Sequence, residues 1–132
     1  MSKSKVVKLV VAGSRSFNDY QKMALILDNF RRRCAAEGKI LHIASGGARG
    51  ADACAELYAK RNGIPFMAFP ADWDRYGRSA GFRRNEEMAR FGTELFAFWD
   101  GSSRGTRHMI VSMKKRSKRV TIFHFTPEIE SY

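Results

Sequence analysis

Three apolar runs in this chain each end in a short glycine-rich loop that carries an arginine and opens onto a helix-like stretch. The first run ends in Gly13-Ser14-Arg15, the second in Gly46-Gly47-Ala48-Arg49-Gly50, and the third in Asp100-Gly101-Ser102-Ser103-Arg104-Gly105-Thr106. Glycine lets backbone N–H groups approach a ligand closely, and the helix start that follows adds partial positive charge. The arginine supplies a fork that matches phosphate geometry. A single loop of this kind reads as an ordinary tight turn. Three at the same relative position read as one anion-binding crevice.

The rest of the chain alternates strand and helix. Strands are expected at residues 6–12, 40–44, 66–69, 95–99 and 120–125. The first is Val-rich, broken only by Lys8, and reads as buried on both faces. After Asn18 or Asp19 as N-cap, Met23, Ile26, Leu27, Phe30 and Cys34 recur at helical spacing until Gly38. The second helix carries Cys54, Leu57 and Tyr58 on one face and stops at Gly63 and Pro65. Residues 70–85 read as a long irregular segment, residues 86–91 as a short helix ended by Gly92, and residues 106–115 as the last helix, with Ile110 and Met113 inward. This order predicts an α/β, Rossmann-like, doubly wound and mostly parallel five-stranded sheet with helices on both faces. Ligands of such sheets bind beyond the carboxyl ends of the strands, where the winding reverses. All three loops lie at carboxyl ends.

At 132 residues and 44% hydrophobic content the chain is read as a single domain, with a core over residues 6–125 and a tail at 126–132. No apolar stretch is long enough to span a bilayer, so no membrane association is expected. Cys34 and Cys54 form neither a CxxC pair nor a disulfide framework and read as small buried hydrophobes, which makes a cytoplasmic setting the expectation. No metal site is expected. Twenty-four Lys and Arg against thirteen Asp and Glu leave a net charge of +11. That excess attracts anions in general, although runs such as Arg31, Arg32 and Arg33 also suit a helix end.

The loops do not match the better-known phosphate fingerprints. The GxGxxG spacing is missing, and no loop ends in Gly-Lys-Ser/Thr, which disfavours a standard dinucleotide dehydrogenase or an ATPase. Asp52 reads either as a cap of the second helix or as a group touching a ligand hydroxyl. Asp100 either accepts from a ligand or bonds to its own loop. In Gly81-Phe82-Arg83-Arg84-Asn85-Glu86-Glu87-Met88, two arginines entering a helix oppose its dipole. Either Glu86 and Glu87 or a bound phosphate offsets them. Trp73, Tyr76 and Phe82 offer stacking faces, or anchor their loop. His108 is within reach of the third loop, whereas His42 and His124 lie in strands and read as structural.

The succession Gly-Ser-Arg, Ser-Gly-Gly-Ala-Arg-Gly-Ala-Asp, Arg-Asn-Glu-Glu-Met and Asp-Gly-Ser-Ser-Arg-Gly-Thr resembles the SLOG superfamily, which joins the lonely-guy phosphoribohydrolases to the DNA-processing protein A group. It is most similar to the small YspA-like, YpsA-related single-domain branch, which includes phage-encoded members. The resemblance implies a pocket for a nucleotide or nucleotide-derived ligand, and pairing of subunits into a homo-oligomer through helices flanking that pocket. It also implies a departure. The phosphoribohydrolases carry Gly-Thr-x-x-Glu after the fourth strand, and the matching stretch here is Gly105-Thr106-Arg107-His108-Met109. N-glycosidic cleavage needs a carboxylate to stabilise the oxocarbenium-like state or to activate water. Base release therefore requires a relocated group, with Asp100, Glu86 and Glu87 as the candidates. Three readings stand: a nucleotide-binding module or sensor, which is favoured; an N-glycosidase using a relocated carboxylate; and a single-stranded nucleic-acid binder, its contacts weak and salt-sensitive.

Overall fold

A computed structural model describes residues 5–127. Five parallel strands, β1 (Lys5–Gly13), β2 (Lys39–Ser45), β3 (Phe66–Ala68), β4 (Glu94–Trp99) and β5 (Arg119–His124), lie side by side in the order β3-β2-β1-β4-β5. The chain travels outward from β1 to β3, returns across β1 and continues to β5. The winding thus reverses between β1 and β4. The expected α/β, doubly wound, Rossmann-like fold is what forms, and the sheet is parallel throughout.

Alternation along the strands builds two cores from one sheet. Val7, Leu9 and Val11 of β1, with Phe96 and Phe98 of β4, face α1 (Tyr20–Ala36) and α2 (Ala51–Arg61). Val10 and Ala12, with Leu95 and Ala97, face α4 (Ala80–Phe91) and α5 (Arg104–Lys115). Asp19 caps α1, its carboxylate accepting the Lys22 N–H at 3.0 Å. Cys34 is buried, Cys54 partly so, and neither is bonded. No helix among the described residues is long and apolar enough to cross a membrane.

Four expectations need correction. Residues 70–85 are not an irregular loop. Asp72 caps a short helix, α3 (Trp73–Tyr76), by accepting the Arg75 N–H, and Gly77, at φ 55°, leads through a 3₁₀ turn into α4. Helix α4 begins at Ala80 rather than Glu86, because the residues it buries early are Ala80 and Asn85, which carry no large apolar signal. Leu57 is exposed rather than inward; α2 packs through Ala51, Ala55, Tyr58 and Ala59, and its alanines let the helix lie close to the sheet. Helix α5 also starts two residues earlier than its apolar pattern indicates, at Arg104. The tail ends outside the described residues, which reach Pro127.

The entry into α2 depends on Gly50. Its φ of +78° with ψ of −126° is a conformation open essentially to glycine, and a Cβ there would collide with the Ser14 carbonyl and the Arg15 backbone. Gly105, in the first turn of α5, has open space around it. Gly50→Ala is therefore expected to lower the unfolding free energy by at least ~1–3 kcal/mol. Gly105→Ala should be neutral or stabilise by up to about 1 kcal/mol. Urea denaturation of both variants checks the contrast.

Candidate functional site

Because β1 and β4 are neighbours at the reversal, the loops that follow them meet over their carboxyl ends. Ser14 joins them. Its N–H donates to the Phe98 carbonyl at 3.0 Å, and its hydroxyl accepts the Asp100 N–H at 3.2 Å and lies 2.9 Å from the Ser103 hydroxyl. Asp100 folds the third loop around its own carboxylate, which accepts the N–H groups of Ser102 and Ser103 and the Ser103 hydroxyl. Partial burial alone would raise the Asp100 pKa. The N–H groups of Ser102 and Ser103, with the Ser103 and Ser14 hydroxyls, outweigh that and hold it at about 2. Asp100 is thus ionised at neutral pH and serves its loop, while one edge still faces the cleft.

This arrangement has a consequence for α5. Ser103 occupies the N-cap position, but its hydroxyl is engaged by Ser14 and Asp100 instead of a first-turn N–H. No acidic side chain lies in that turn. The helix start therefore presents N–H groups and partial positive charge toward the cleft, beside the exposed side chain of Arg104.

The opposite wall comes from the second loop and α4. Arg84 donates through Nη1 to the Gly46 carbonyl at 2.7 Å and more weakly to the Phe69 carbonyl at 3.4 Å, and through Nε to Asn85 Oδ1 at 3.0 Å. A Cβ on Gly46 would overlap this guanidinium, so a glycine there is a packing requirement. Burial lowers the Arg84 pKa, and Asp52 counters that by favouring its charge. Asp52 does not cap α2, whose N-cap is Gly50; its carboxylate accepts the Ala48 N–H at 3.1 Å and faces the cleft. Burial raises the Asp52 pKa to about 6 against the pull of the Ala48 N–H and of Arg84. Asn85, also buried, donates to the Gly105 carbonyl at 3.1 Å and so ties α4 to the start of α5.

The cleft so formed has a volume of about 510 Å³. Of the residues expected from sequence, it brings together Gly13, Ser14, Arg15, Asp52, Arg84, Asn85, Asp100, Ser103, Arg104, Gly105 and Thr106. It does not include Gly46, Gly47, Arg49, Arg83, Gly101 or Ser102 in its lining. Arg49 is exposed, and Arg83 turns away to Ser79 and to the Tyr76 ring. Glu86 and Glu87 also lie off the cleft: Glu86 accepts from Ser112 and Arg116, and Glu87 is exposed. Met109 is fully buried in the core under α5. Asp52 and Asp100 are thus the two carboxylates in the cleft wall. Ala12, Ser16, Ala48 and Met88 line it as well and were missed. Ala48 lies inside the second loop motif and Ser16 next to Arg15, so adjacency was the available signal; Met88 had only its helical spacing.

A family described as YspA, cpYpsA-related SLOG matches residues 7–76. The Gene 61 protein of Mycobacterium phage D29 is 34% identical over 128 residues, covering 91% of this chain and 98% of that protein. Among solved structures, DNA processing protein A from Streptococcus pneumoniae matches at a TM-score of 0.70 and 17% identity, over 89% of this chain and 50% of the other. DNA processing protein A from Helicobacter pylori, described for its single-stranded DNA binding mode, matches at 0.64 and 17%, over 88% of this chain and 64% of the other. This chain thus spans between half and two thirds of those two proteins, and at such identities the likeness establishes the fold. The family match covers more than half of the chain, and the phage relative covers nine tenths of it. This chain belongs to the YspA, cpYpsA-related SLOG family.

Proposed function

We propose that the chain binds a nucleotide or a nucleotide-derived small molecule in the cleft at the β1–β4 reversal. The observation that carries this reading is the start of α5, left without a side-chain cap and set beside Arg104. An anion there gains backbone N–H donors, the helix field and a guanidinium together. Arg15 and Arg84 add positive charge across the cleft, and Asp52 supplies an acceptor suited to a ligand hydroxyl. One anionic group with a hydroxyl-bearing part is the chemistry of a sugar phosphate or nucleotide. Base release has little support from the geometry: Met109 stands where the hydrolases have glutamate, Glu86 and Glu87 point elsewhere, and Asp100 is held by its own loop.

A second reading, single-stranded nucleic acid, draws on different residues. Trp73 and Phe82 are about half exposed, at 52% and 48%. Trp73 lies within reach of the cleft wall, since a Cβ on Gly81 would stand 3.4 Å from Trp73 Cη2 and 3.9 Å from Arg84 Nη2. A base leaving the cleft on that side meets an aromatic face. The Helicobacter pylori neighbour, described for binding single-stranded DNA, supports keeping this reading in view.

Arg104→Ala is expected to weaken nucleoside-monophosphate binding by about 1.5–3 kcal/mol with little effect on folding. Calorimetry checks it, and unchanged affinity for every nucleotide that binds would remove the phosphate from this loop.

Asp52 makes a prediction about stability. Its folded pKa of about 6 lies above the ordinary 3.8, so between these values the native state holds more protons than the unfolded chain, and stability falls as pH rises. The penalty is absent below pH 3.8 and complete above 6. Asp52→Asn keeps an acceptor for the Ala48 N–H and removes the charge. The variant should gain on the parent from pH 4 to pH 7 by an amount on the order of 2–3 kcal/mol. Parallel unfolding curves at the two pH values measure it.

Salt separates the two ligand classes. Single strands that neutralise several phosphates lose affinity with a log–log slope of about −0.7 per phosphate. Oligonucleotide binding should fade steeply between low and physiological salt, while mononucleotide binding persists. Anisotropy across a salt series tests this; tight oligonucleotide binding that survives physiological salt and collapses in Trp73→Ala would favour the second reading.

A further inference from the structure

Between α4 and α5 a chain of polar side chains runs back from the cleft lining to residues that do not line it, His108 and Glu86. Asn85 stands at its start. Its Oδ1 accepts from Arg84 Nε at 3.0 Å, and its Nδ2 donates to the Gly105 carbonyl at 3.1 Å. Neither partner is ambiguous, since a guanidinium only donates and a carbonyl only accepts. The orientation of the amide is therefore fixed from both ends. The second hydrogen on Nδ2 points to His108 Nδ1, 3.2 Å away. That nitrogen must accept, so the proton of the neutral ring sits on Nε2. Nε2 faces Glu86 Oε1 at 3.5 Å, and Glu86 is held in turn by Ser112 at 2.7 Å and Arg116 at 2.9 Å. The ring lies against Phe82, with centroids 4.4 Å apart.

We infer that His108 is a positioning residue for the cleft: its neutral Nε2–H tautomer holds the Asn85 amide, and through that amide both the Arg84 guanidinium and the first turn of α5. Protonation of Nδ1 sets an N–H against the amide N–H. Turning the amide over does not help, because the NH₂ group would then face Arg84 Nε–H. With the amide in place, its contact with His108 turns repulsive and pushes Asn85 off the position from which it holds Arg84 and Gly105; with the amide turned over, both of those bonds are lost. In either case the cleft loosens although His108 itself does not line it. Among the described residues, the charged groups acting on the ring are Glu86 from α4, which favours the imidazolium, and Lys115 from its own helix, which opposes it. Arg116 offsets Glu86 from the far side. Burial outweighs Glu86 and lowers the His108 pKa, which favours the neutral ring.

The link from His108 to Arg84 needs no ligand to be observed. Long-range ¹H–¹⁵N spectra should show His108 as the Nε2–H tautomer at pH 7.5; an Nδ1–H tautomer or an imidazolium at that pH overturns the inference. The Arg84 Nε–H signal should be protected from exchange at pH 7.5 and fade as His108 gains its proton. His108→Asn places an uncharged acceptor near the position of Nδ1, and should keep the signal down to pH 5. His108→Lys should lose it at every pH. Identical pH profiles in the parent and His108→Asn defeat the inference even if the lysine variant does not fold. A second arm rests on the nucleotide reading and uses adenosine 5′-monophosphate as the probe. From pH 7.5 to pH 5 the parent should lose roughly fivefold or more in affinity relative to His108→Asn, the lower end of ordinary site–site coupling. Titration of the phosphate and of Asp52 is common to both proteins and cancels in the comparison. If the nucleotide binds to neither while the Arg84 signal still follows His108, the nucleotide reading fails and the positioning role stands.

Discussion

Parallel strands cannot be joined by a tight turn, so each connection must cross the sheet, and a right-handed crossover makes the direction of travel decide which face the helix covers. Moving outward from β1 to β3 puts α1 and α2 on one face; turning back and moving on to β5 puts α4 and α5 on the other. Covering both faces therefore requires one reversal. At that reversal the loops after β1 and β4 leave in opposite directions and open a cleft between them. The position of the site follows from burying the sheet.

What fills the opening is a polar assembly that holds itself in shape. The hydroxyls of Ser14 and Ser103 and the carboxylate of Asp100 bond to one another and to loop N–H groups, so the third loop is held by its own residues. The same bonds draw the Ser103 side chain away from the helix start it would otherwise cap. On the other wall, Arg84 grips the second loop by its Gly46 carbonyl and Asn85 grips the third by its Gly105 carbonyl. Adjacent residues of α4 thus reach two loops that are far apart in the chain. Donors fixed in this way lower the ordering cost of the binding proposed above.

The two carboxylates in the cleft wall show how environment separates like groups. Asp100 accepts loop N–H groups and a serine hydroxyl at the edge of the cleft and stays ionised at low pH. Asp52, nearly fully buried with fewer donors, titrates near pH 6. Only the second can change its charge near neutral pH, and it lies beside Arg84 and Arg15.

The sequence by itself determined the fold class and the three loops. Strand periodicity, helix caps such as Asp19, and the glycine strings are local signals that depend on a few neighbouring residues. Belonging to the family was legible for the same reason, since Ser45-Gly46-Gly47-Ala48-Arg49-Gly50-Ala51-Asp52 is a contiguous string. Arginines were legible as loop residues but not as cleft residues: Arg49 and Arg83 looked equivalent to Arg104 and Arg84, and only packing turned the first pair outward. Helix α4 was underread because its early buried positions are Ala80 and Asn85, whose reason to be buried is a partner on another element. The direction of a long side chain, the tautomer of His108 and the ionisation of Asp52 are set by groups brought from elsewhere in the chain. Hydrogen bonds and desolvation act over a few ångströms in space, whatever the separation in sequence, and the tertiary structure alone decides which groups fall within that range.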